Sequence, residues 1–144
     1  MDAELLILAR LARMLERACG ELDPPLTLAQ YRLLVMIGRG ADRASHLAGQ
    51  LALAKPTVSA TVDTLVERGL VARSTARHDR RVTTLTVTER GDGVLAAAEG
   101  AMRAHLDDVL RRVDDPAAVR SALAALGGGL DERREERRAA RARA

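Results

Sequence analysis

The sequence predicts a mainly α-helical protein that carries one short antiparallel β-hairpin. Apolar residues recur at three- and four-residue spacing along most of the chain, as they do on the buried face of a helix. Proline, glycine and capping residues divide these stretches into six helices. Two short β-branched segments follow the fourth helix and are separated by an arginine-rich loop, which is typical of a hairpin.

The composition limits what such a chain can bind. Its 144 residues favour one domain, or one domain with an appended dimerisation element. Apolar residues make up 47%, but there is no Phe or Trp, so Leu, Val and Ala must fill the core around the single Tyr31. Few aromatic rings provide few surfaces on which bases can stack, which argues against single-stranded nucleic acid as the ligand.

The positive charge is concentrated in one segment. The formal net charge is +3, and the segment from Lys55 to Arg90 alone holds seven basic and four acidic side chains, a net of +3. Nearly all the basic residues are arginines. Arginine binds phosphate and guanine edges through two nitrogens, but a GC-rich coding bias would also enrich it.

The sequence also predicts a cytoplasmic location. Cys19 is the only cysteine, so no internal disulfide can form, which is typical of a reducing compartment. The N-terminus is acidic and helix-like, unlike the basic and apolar regions of a signal peptide. Because no apolar run approaches the roughly 20 residues of a membrane span, we expect no membrane partner.

The first two predicted helices precede the basic segment. The first has an apolar face that begins at Leu5 and ends near Gly20, ahead of Asp23-Pro24-Pro25. The second begins at a capping box, in which Thr27 and Gln30 each accept the backbone N–H of the other. This helix is expected to stop around Gly38 and Gly40 and to bury Leu28, Tyr31, Leu34 and Val35 or their neighbours.

A short third helix, from about Arg43 to Leu51, is followed by a turn at Leu53-Ala54 and then by the fourth helix. Pro56 suits the first turn of the fourth helix, where its missing N–H would have no acceptor. Gly69 suits the left-handed residue that ends a helix. Val58, Val62 and Leu65 form the side expected to be buried, and the outer side holds Thr57, Ser59, Ala60, Asp63 and Thr64.

The hairpin is predicted from a strand at Val71-Ala72-Arg73 and a returning strand from Val82 to Val87. The loop between them is polar and longer than a tight turn. Its tip holds Arg77, His78, Asp79, Arg80 and Arg81.

Two helices follow the hairpin. The fifth starts at Thr88-Glu89-Arg90-Gly91, and the sixth starts at Asp115-Pro116, a cap followed by a first-turn proline. Gly127-Gly128-Gly129 weakens the sixth helix by roughly 1 kcal/mol per glycine relative to alanine, so we expect a kink or a helix end there. The charged segment 131–144 is either a solvated helical extension or a frayed tail.

A helix that fits a groove, followed at once by a basic hairpin, is the arrangement of a winged helix-turn-helix DNA reader. Hydroxyls on the outer face of the fourth helix can bond base edges, and an alanine methyl can contact that of thymine. Arginines of the wing can reach phosphates and a narrow minor groove. The candidate DNA-binding residues are Lys55, Pro56, Thr57, Ser59, Ala60, Arg73, Arg77, Asp79, Arg80 and Arg81.

These candidates also have a structural interpretation. The helix face and the wing could be ordinary solvated surfaces. Arg73 could contact phosphate, or it could pair with Glu67 or Asp63. Asp79 would repel phosphate, so its expected role is to orient Arg81 through a charge-assisted hydrogen bond.

The sequence gives little support to catalysis or to a cofactor. It has no Ser-His-Asp pattern with a nucleophile turn, no phosphate-binding glycine loop and no Cys-x-x-Cys pair. His46, His78 and His105 lack the spacing of a metal site. Cys19 lies on the apolar side of the first helix and near its end, which indicates packing in preference to redox sensing. We therefore expect no enzymatic activity, no metal and no cofactor.

Four segments carry a resemblance to a known family. They are Lys55-Pro56-Thr57-Val58-Ser59, the segment 62–71, Asp79-Arg80-Arg81 and the segment 87–91. In this order and at these separations they resemble the MarR family of bacterial regulators, and the resemblance covers nearly the whole chain.

The resemblance implies a cytoplasmic homodimer. Its helical dimerisation region would comprise 1–25 and 92–130, its winged helix-turn-helix 26–91 with a wing of two or three strands, and 131–144 would be a charged extension or tail. The fourth helix would enter the major groove and the wing the flanking minor groove. Many members release DNA when a small molecule binds between the two regions, and candidates for the walls of that pocket are Met14, Arg32 and Met36.

The expected function is that of a sequence-specific, double-stranded DNA-binding regulator, a ligand-responsive repressor that acts as a homodimer on pseudo-palindromic operators. The alternative is a protein-binding winged-helix module, an anti-regulator or scaffold, with weak or lost DNA binding. Three departures from the family pattern bear on this choice. Ala54 replaces a frequent capping serine, whose loss costs about 0.5–2 kcal/mol. Ala60 and Thr64 stand where arginines are common, which weakens phosphate binding.

Overall fold

The computed structural model describes residues 2–41, 44–51, 54–76 and 79–143. The chain divides into two compact units, Met1–His105 and Leu106–Ala144. Helices and one two-stranded antiparallel sheet make up the described elements, which confirms the predicted fold class, mainly α with a winged helix-turn-helix. No helix in the described part is both long and apolar enough to cross a membrane.

The elements follow the predicted order. The helices are α1 (Ala3–Gly20), α2 (Leu28–Gly38), α3 (Ala44–Leu51), α4 (Lys55–Glu67), α5 (Glu89–Leu110) and α6 (Pro116–Ala142), and the strands are β1 (Val71–Ala76) and β2 (Asp79–Val87).

Local capping explains where several helices begin. Thr27 Oγ1 accepts the N–H of Gln30 at 3.1 Å, and Gln30 Oε1 accepts the N–H of Thr27 at 3.0 Å, so the predicted capping box is confirmed. The Asp115 carboxylate accepts the N–H of Ala118 at 2.9 Å and starts α6, with Pro116 in its first turn. Each bond satisfies an N–H that has no acceptor within its own helix.

The first unit has an aliphatic core, as the composition predicts. In α2 the predicted Leu34 is buried, whereas Val35 is half-buried and its neighbours Leu33 and Ile37 take the interior positions. The largest of the almost completely buried side chains come from α1, α2, α3, α4 and the segment after α4, and they are Cys19, Leu33, Leu34, Leu47, Val58, Val62, Leu65 and Leu70.

The wing differs from the prediction in the length of its strands. Part of the segment expected to be a polar loop is paired, and Asp79, Arg80 and Arg81 belong to β2 and not to a loop. The register joins Val71 to Val87 and Thr75 to Thr83, before an irregularity between Thr75 and Ala76. Threonine pairs well across strands, so a polar sequence can form a hairpin that is solvated on one side.

The junction between α4, the wing and α5 is held by backbone contacts. Gly69 adopts the predicted left-handed conformation, with φ of 69°. The Thr88 hydroxyl donates to the Gly69 carbonyl at 2.7 Å and accepts the N–H of Gly91 at 3.0 Å. The backbone N–H of Thr88 donates to the Leu70 carbonyl at 3.1 Å. Thr88 therefore joins the end of α4 to the start of α5.

The second unit contains the whole of α6, which continues through Gly127-Gly128-Gly129 to Ala142. The expected helix end at the glycines is therefore wrong, and the charged segment is a helical extension as far as Ala142. Flanking Ala, Leu, Glu and Arg residues are strong helix formers, and they offset the cost of the glycines.

Ion pairs on the surface of the second unit join α5 to the residues after it. Asp108 pairs with Arg111 at 2.7 Å and with Arg112 at 2.6 Å, and Asp107 pairs with Arg120 on α6 at 2.5 Å. Hydrogen bonding from Arg112 is the main cause that lowers the pKa of the Asp108 carboxyl.

Substitution of Gly91 tests the junction. A Cβ at this position would lie 2.7 Å from Val87 Cγ1 and closer still to the Leu70 carbonyl oxygen, so backbone has to move. We expect Gly91→Ala to lower the free energy of unfolding by about 1–3 kcal/mol, as overpacking does. Gly93→Ala in the same helix is the control, since nothing lies within 4 Å of its added Cβ. In urea unfolding, the control should be as stable as the parent or up to about 1 kcal/mol more stable. Equal unfolding curves for the two variants would show that the close contact at Gly91 does not constrain the junction.

Candidate nucleic-acid interface

The fourth helix has one completely buried side and one exposed side. Val58 and Leu65 are 0% exposed and Val62 is 1% exposed, as the periodicity predicts. The opposite side of the N-terminal half is exposed to solvent, and it presents Lys55, Pro56, Thr57, Ser59 and Ala60. The structure thus places the five helix candidates together on a surface that a ligand can reach.

The N-terminal end of α4 has no side-chain cap. Ala54 occupies the N-cap with an extended backbone, φ −64° and ψ 141°, and provides no side-chain bond to the helix. Backbone N–H groups in the first turn have no acceptor within a helix and point along its axis. Together with Lys55, they give the exposed end of α4 a positive potential.

Two hydroxyls of α4 are used within the helix. Thr61 Oγ1 donates to the carbonyl of Thr57 at 2.8 Å, and Thr64 Oγ1 donates to that of Ala60 at 3.0 Å. Such bonds turn a hydroxyl away from an external partner. Thr57 and Ser59 are the exposed hydroxyls nearest the start of the helix, where base edges would lie.

Arg73 joins β1 to α4. Its Nη2 lies 2.6 Å from Asp63 Oδ1, so of the two carboxylates considered from the sequence, Asp63 is the partner. Arg73 is opposite Leu85 in the sheet register and therefore lies on the same face of the wing as that buried residue. Both side chains of the ion pair are about half exposed, and such pairs stabilise a fold by at most about 1 kcal/mol. Contact between Arg73 and phosphate stays a prediction.

Arg68 is a contact that sequence reasoning missed. Its Nη2 donates to the Pro25 carbonyl at 2.6 Å, and its Nη1 donates to Gln30 Oε1 at 3.2 Å. The sequence analysis counted Arg68 only as part of the basic segment. An arginine at the end of a helix can bind the last carbonyls of that helix, but no local pattern identifies Pro25 as the acceptor.

The tip of the wing falls largely outside the described residues. Arg77 and His78 are not described, and the side chains of Asp79, Arg80 and Arg81 are likewise outside the description. The backbone places these last three residues at the start of β2, on the strand that returns from the tip. Their contact with DNA, and the pairing of Asp79 with Arg81, stay predictions.

The other candidate residues lie apart from α4. Met14 on α1 and Met36 on α2 are half-buried, and Arg32 on α2 is exposed. Their role in a ligand pocket stays a prediction. His105 is exposed, and the described residues contain no group of three or more His, Cys, Asp or Glu side chains that could hold a metal ion.

Cys19 is packed in the core. The residue is 0% exposed, and its Sγ lies 3.9 Å from the sulfur of Met102 on α5. Burial raises the pKa of the Cys19 thiol, which disfavours the reactive thiolate. The packing interpretation agrees with both observations.

The comparisons with known proteins agree with this geometry. A model of the MarR family matches residues 25–82, which contain α2 to α4, β1 and the first part of β2. Residues 25–82 of the chain, which form most of its winged helix-turn-helix part, thus match the MarR family. This match and the shared fold support a transcriptional regulator of the winged helix-turn-helix type.

Solved structures with the same fold include three that are named regulators or family members. MarR itself is 25% identical, with a TM-score of 0.71, over 88% of this chain and 93% of MarR. The transcriptional repressor CouR, bound to a 23-mer DNA duplex, is 24% identical with a TM-score of 0.73 over 90% and 89% of the two chains. The MarR family protein RV2887 of Mycobacterium tuberculosis, in complex with p-aminosalicylic acid, is 24% identical with a TM-score of 0.69 over 88% and 99%.

Treatment with peroxide tests the environment of Cys19. Because the thiol is buried and its pKa is raised, we expect hydrogen peroxide to leave the affinity for DNA unchanged. A thiol-reactive dye should label Cys19 in the unfolded protein and much more slowly in the folded one. Loss of DNA binding that Cys19→Ser prevents would instead identify a redox sensor.

Proposed function

We propose that this MarR-family regulator is a homodimeric repressor that reads pseudo-palindromic operators in duplex DNA and responds to a small ligand. The observation that carries the proposal is the exposed N-terminal half of α4, whose opposite side is sealed by Val58, Val62 and Leu65. A helix fixed from behind, with small polar side chains in front, can lie in a major groove without losing its core.

The wing supports the same proposal. The ion pair between Arg73 and Asp63 joins β1 to the middle of α4, so both elements lie on one side of the first unit. Arg80 and Arg81 follow at the start of β2. Arginines at this position would contact phosphates and the minor groove beside the half-site that α4 reads.

Exposed apolar helix faces support a homodimer. In the first unit, Leu5, Leu6, Ile7 and Leu8 of α1 are between 47% and 63% exposed. In the second unit, Leu126 and Leu130 of α6 are 58% and 64% exposed. Monomeric proteins rarely expose contiguous apolar surface of this kind, and a second copy with two-fold symmetry would cover it. Two copies of α4 would then read half-sites roughly 34 Å apart, or a multiple of that distance.

A response to a ligand would act through the spacing of the two helices. The ligand must bind one spacing more tightly than the other, because equal affinity for both shifts nothing. The structure of RV2887 contains p-aminosalicylic acid, which supports a search among small aromatic acids. In this chain the proposed contacts are Met14, Arg32 and Met36.

One observation favours the alternative of a protein-binding module. The outer side of α4 carries Asp63 and Ala60, and the Thr64 hydroxyl is turned back to the helix, so the middle of the helix has few groups that attract DNA. Binding to a protein partner would depend little on salt. Binding to DNA would weaken steeply with salt, because each phosphate contact releases counterions.

Capture of genomic fragments by the purified protein at physiological salt tests the proposed function. We expect enrichment of a small set of pseudo-palindromic fragments, with an affinity that falls as salt rises. The recovered half-site spacing would measure the separation of the two helices. The absence of enriched fragments, or binding that salt does not affect, would favour the protein-binding alternative.

Arg81→Ala tests the wing. Loss of its contacts should reduce affinity for a captured fragment at least about tenfold, or roughly 1.4 kcal/mol, with the fold intact. Arg39→Ala removes an exposed arginine at the end of α2 and serves as the matched control. Gel-shift titrations with equal affinities for the parent and Arg81→Ala would remove the wing from the mechanism.

A further inference from the structure

Arg68 connects the end of α4 to the start of α2. It is the residue that follows α4, where its backbone N–H donates to the Thr64 carbonyl at 3.0 Å. From this point the guanidinium reaches the Pro25 carbonyl at 2.6 Å and Gln30 Oε1 at 3.2 Å. The side chain is thus held by two acceptors that lie 43 and 38 residues away in sequence.

One acceptor, Gln30, lies in the first turn of α2, and the other, Pro25, lies two residues before its N-cap. Gln30 Oε1 is the atom that also accepts the N–H of Thr27 at 3.0 Å, so one oxygen serves both the capping box and Arg68. The Thr27 hydroxyl in turn accepts the N–H of Gln30. The side chain of Gln30 is therefore fixed from the α2 side before Arg68 binds it. A planar guanidinium held at two nitrogens has a defined direction, which a single apolar contact does not provide.

Direction matters because the apolar contacts of α4 provide little of it, and the pair of Asp63 with Arg73 that joins α4 to β1 is about half exposed. Val58, Val62 and Leu65 bury the back of the helix, but apolar burial is non-directional. At the N-terminal end, Ala54 provides no side-chain bond. The helix has 13 residues, which corresponds to a length of about 20 Å. If α4 tilted by about 10° about its C-terminal end, its first turn would move by about 3 Å. That displacement is about the donor–acceptor distance of a hydrogen bond.

We propose that Arg68 is a positioning residue that fixes the axis of α4 against the capping box of α2, and that it thereby sets discrimination between operator and unrelated DNA. This inference rests on the proposed function. Base edges are read only when donors and acceptors meet within hydrogen-bond distance, whereas phosphate attraction tolerates displacement. Loss of the Arg68 contacts therefore weakens operator binding more than it weakens non-specific binding.

Arg68→Lys separates this role from that of a phosphate contact. Lysine keeps the charge but cannot span both acceptors with a planar fork. The probes are a duplex recovered by genomic capture and a mixed-sequence duplex of equal length, each titrated over a series of salt concentrations. We expect the dissociation constant for the captured duplex to rise at least about fivefold, which corresponds to one net hydrogen bond. The constant for the mixed duplex should change less than about twofold, and the salt dependence of both should stay the same.

Two further variants control the experiment. Arg39→Lys makes the same change at an exposed arginine at the end of α2 and should leave both constants unchanged. Gln30→Glu combined with Arg68→Lys provides a carboxylate that can pair with the lysine and still complete the capping box. This double variant should bind the captured duplex with an affinity within about twofold of that of the parent protein.

The outcomes distinguish the positioning role from its rivals. Arg68→Gln removes the charge as well, and equal losses for both duplexes in this variant, with a salt slope shallower by about one, would make Arg68 a phosphate contact and overturn the inference. Equal losses of affinity for both duplexes, with an unchanged salt slope and a lower unfolding midpoint, would mean that Arg68 only stabilises the fold. That result would also overturn the inference. Unchanged constants would show that the contacts do not position α4. If the parent chain itself bound no duplex, the failure would lie in the proposed function and would remove this inference with it.

Discussion

The close contact between Gly91 and the carbonyl of Leu70 is the constraint on which the arrangement of the winged helix depends. A side chain at residue 91 would collide with that carbonyl, so the first turn of α5 can approach the end of α4 only at a glycine. Thr88 completes the junction, because its hydroxyl binds Gly69 and Gly91 while its backbone N–H binds Leu70. Three elements therefore meet at one point: the end of α4, the end of β2 and the start of α5.

This junction makes the two ends of α4 unequal. The C-terminal end is fixed by the junction and by the bonds of Arg68 to Pro25 and Gln30. The N-terminal end has no side-chain cap, although it is the end that carries the exposed residues Lys55, Thr57 and Ser59. The side chains that would meet DNA are thus positioned from the far end of the helix, through its backbone. A rigid C-terminal end tolerates a weak start, provided that the buried side of α4 keeps its contacts.

The features that could be predicted from the sequence are those that depend on nearby residues. The capping box of Thr27 and Gln30, the cap at Asp115 and the buried side of α4 all follow from spacings of three or four residues. The length of the wing could not be predicted, since pairing of Thr75 with Thr83 depends on the partner strand and not on local polarity. The contact between Arg68 and Pro25 spans 43 residues, and no local sequence pattern predicts it. The candidates at the wing tip remain expectations from the sequence.

The use of arginine within the protein changes how its charge should be interpreted. The basic segment accounts for the whole net charge of +3. A simple count of charges therefore favours a surface that binds nucleic acid. Arg68 and Arg73, however, are bound to Pro25, Gln30 and Asp63. Of the seven basic residues in this segment, the other five are Lys55, Arg77, Arg80, Arg81 and Arg90.

Arg80 and Arg81 belong to β2, and Arg77 precedes them in the sequence. On the proposed function, most of the attraction for phosphate would therefore come from this segment and little from α4. The number of neutralised phosphates sets the salt dependence of DNA binding. Such a division would make the wing responsible for affinity and the helix responsible for sequence choice. The division agrees with the outer side of α4, which carries Ala60 and Thr64 with Asp63 between them and so has few groups that attract phosphate. The positioning of α4 by Arg68 and the junction at Gly91 then matter more than the charge that α4 itself carries.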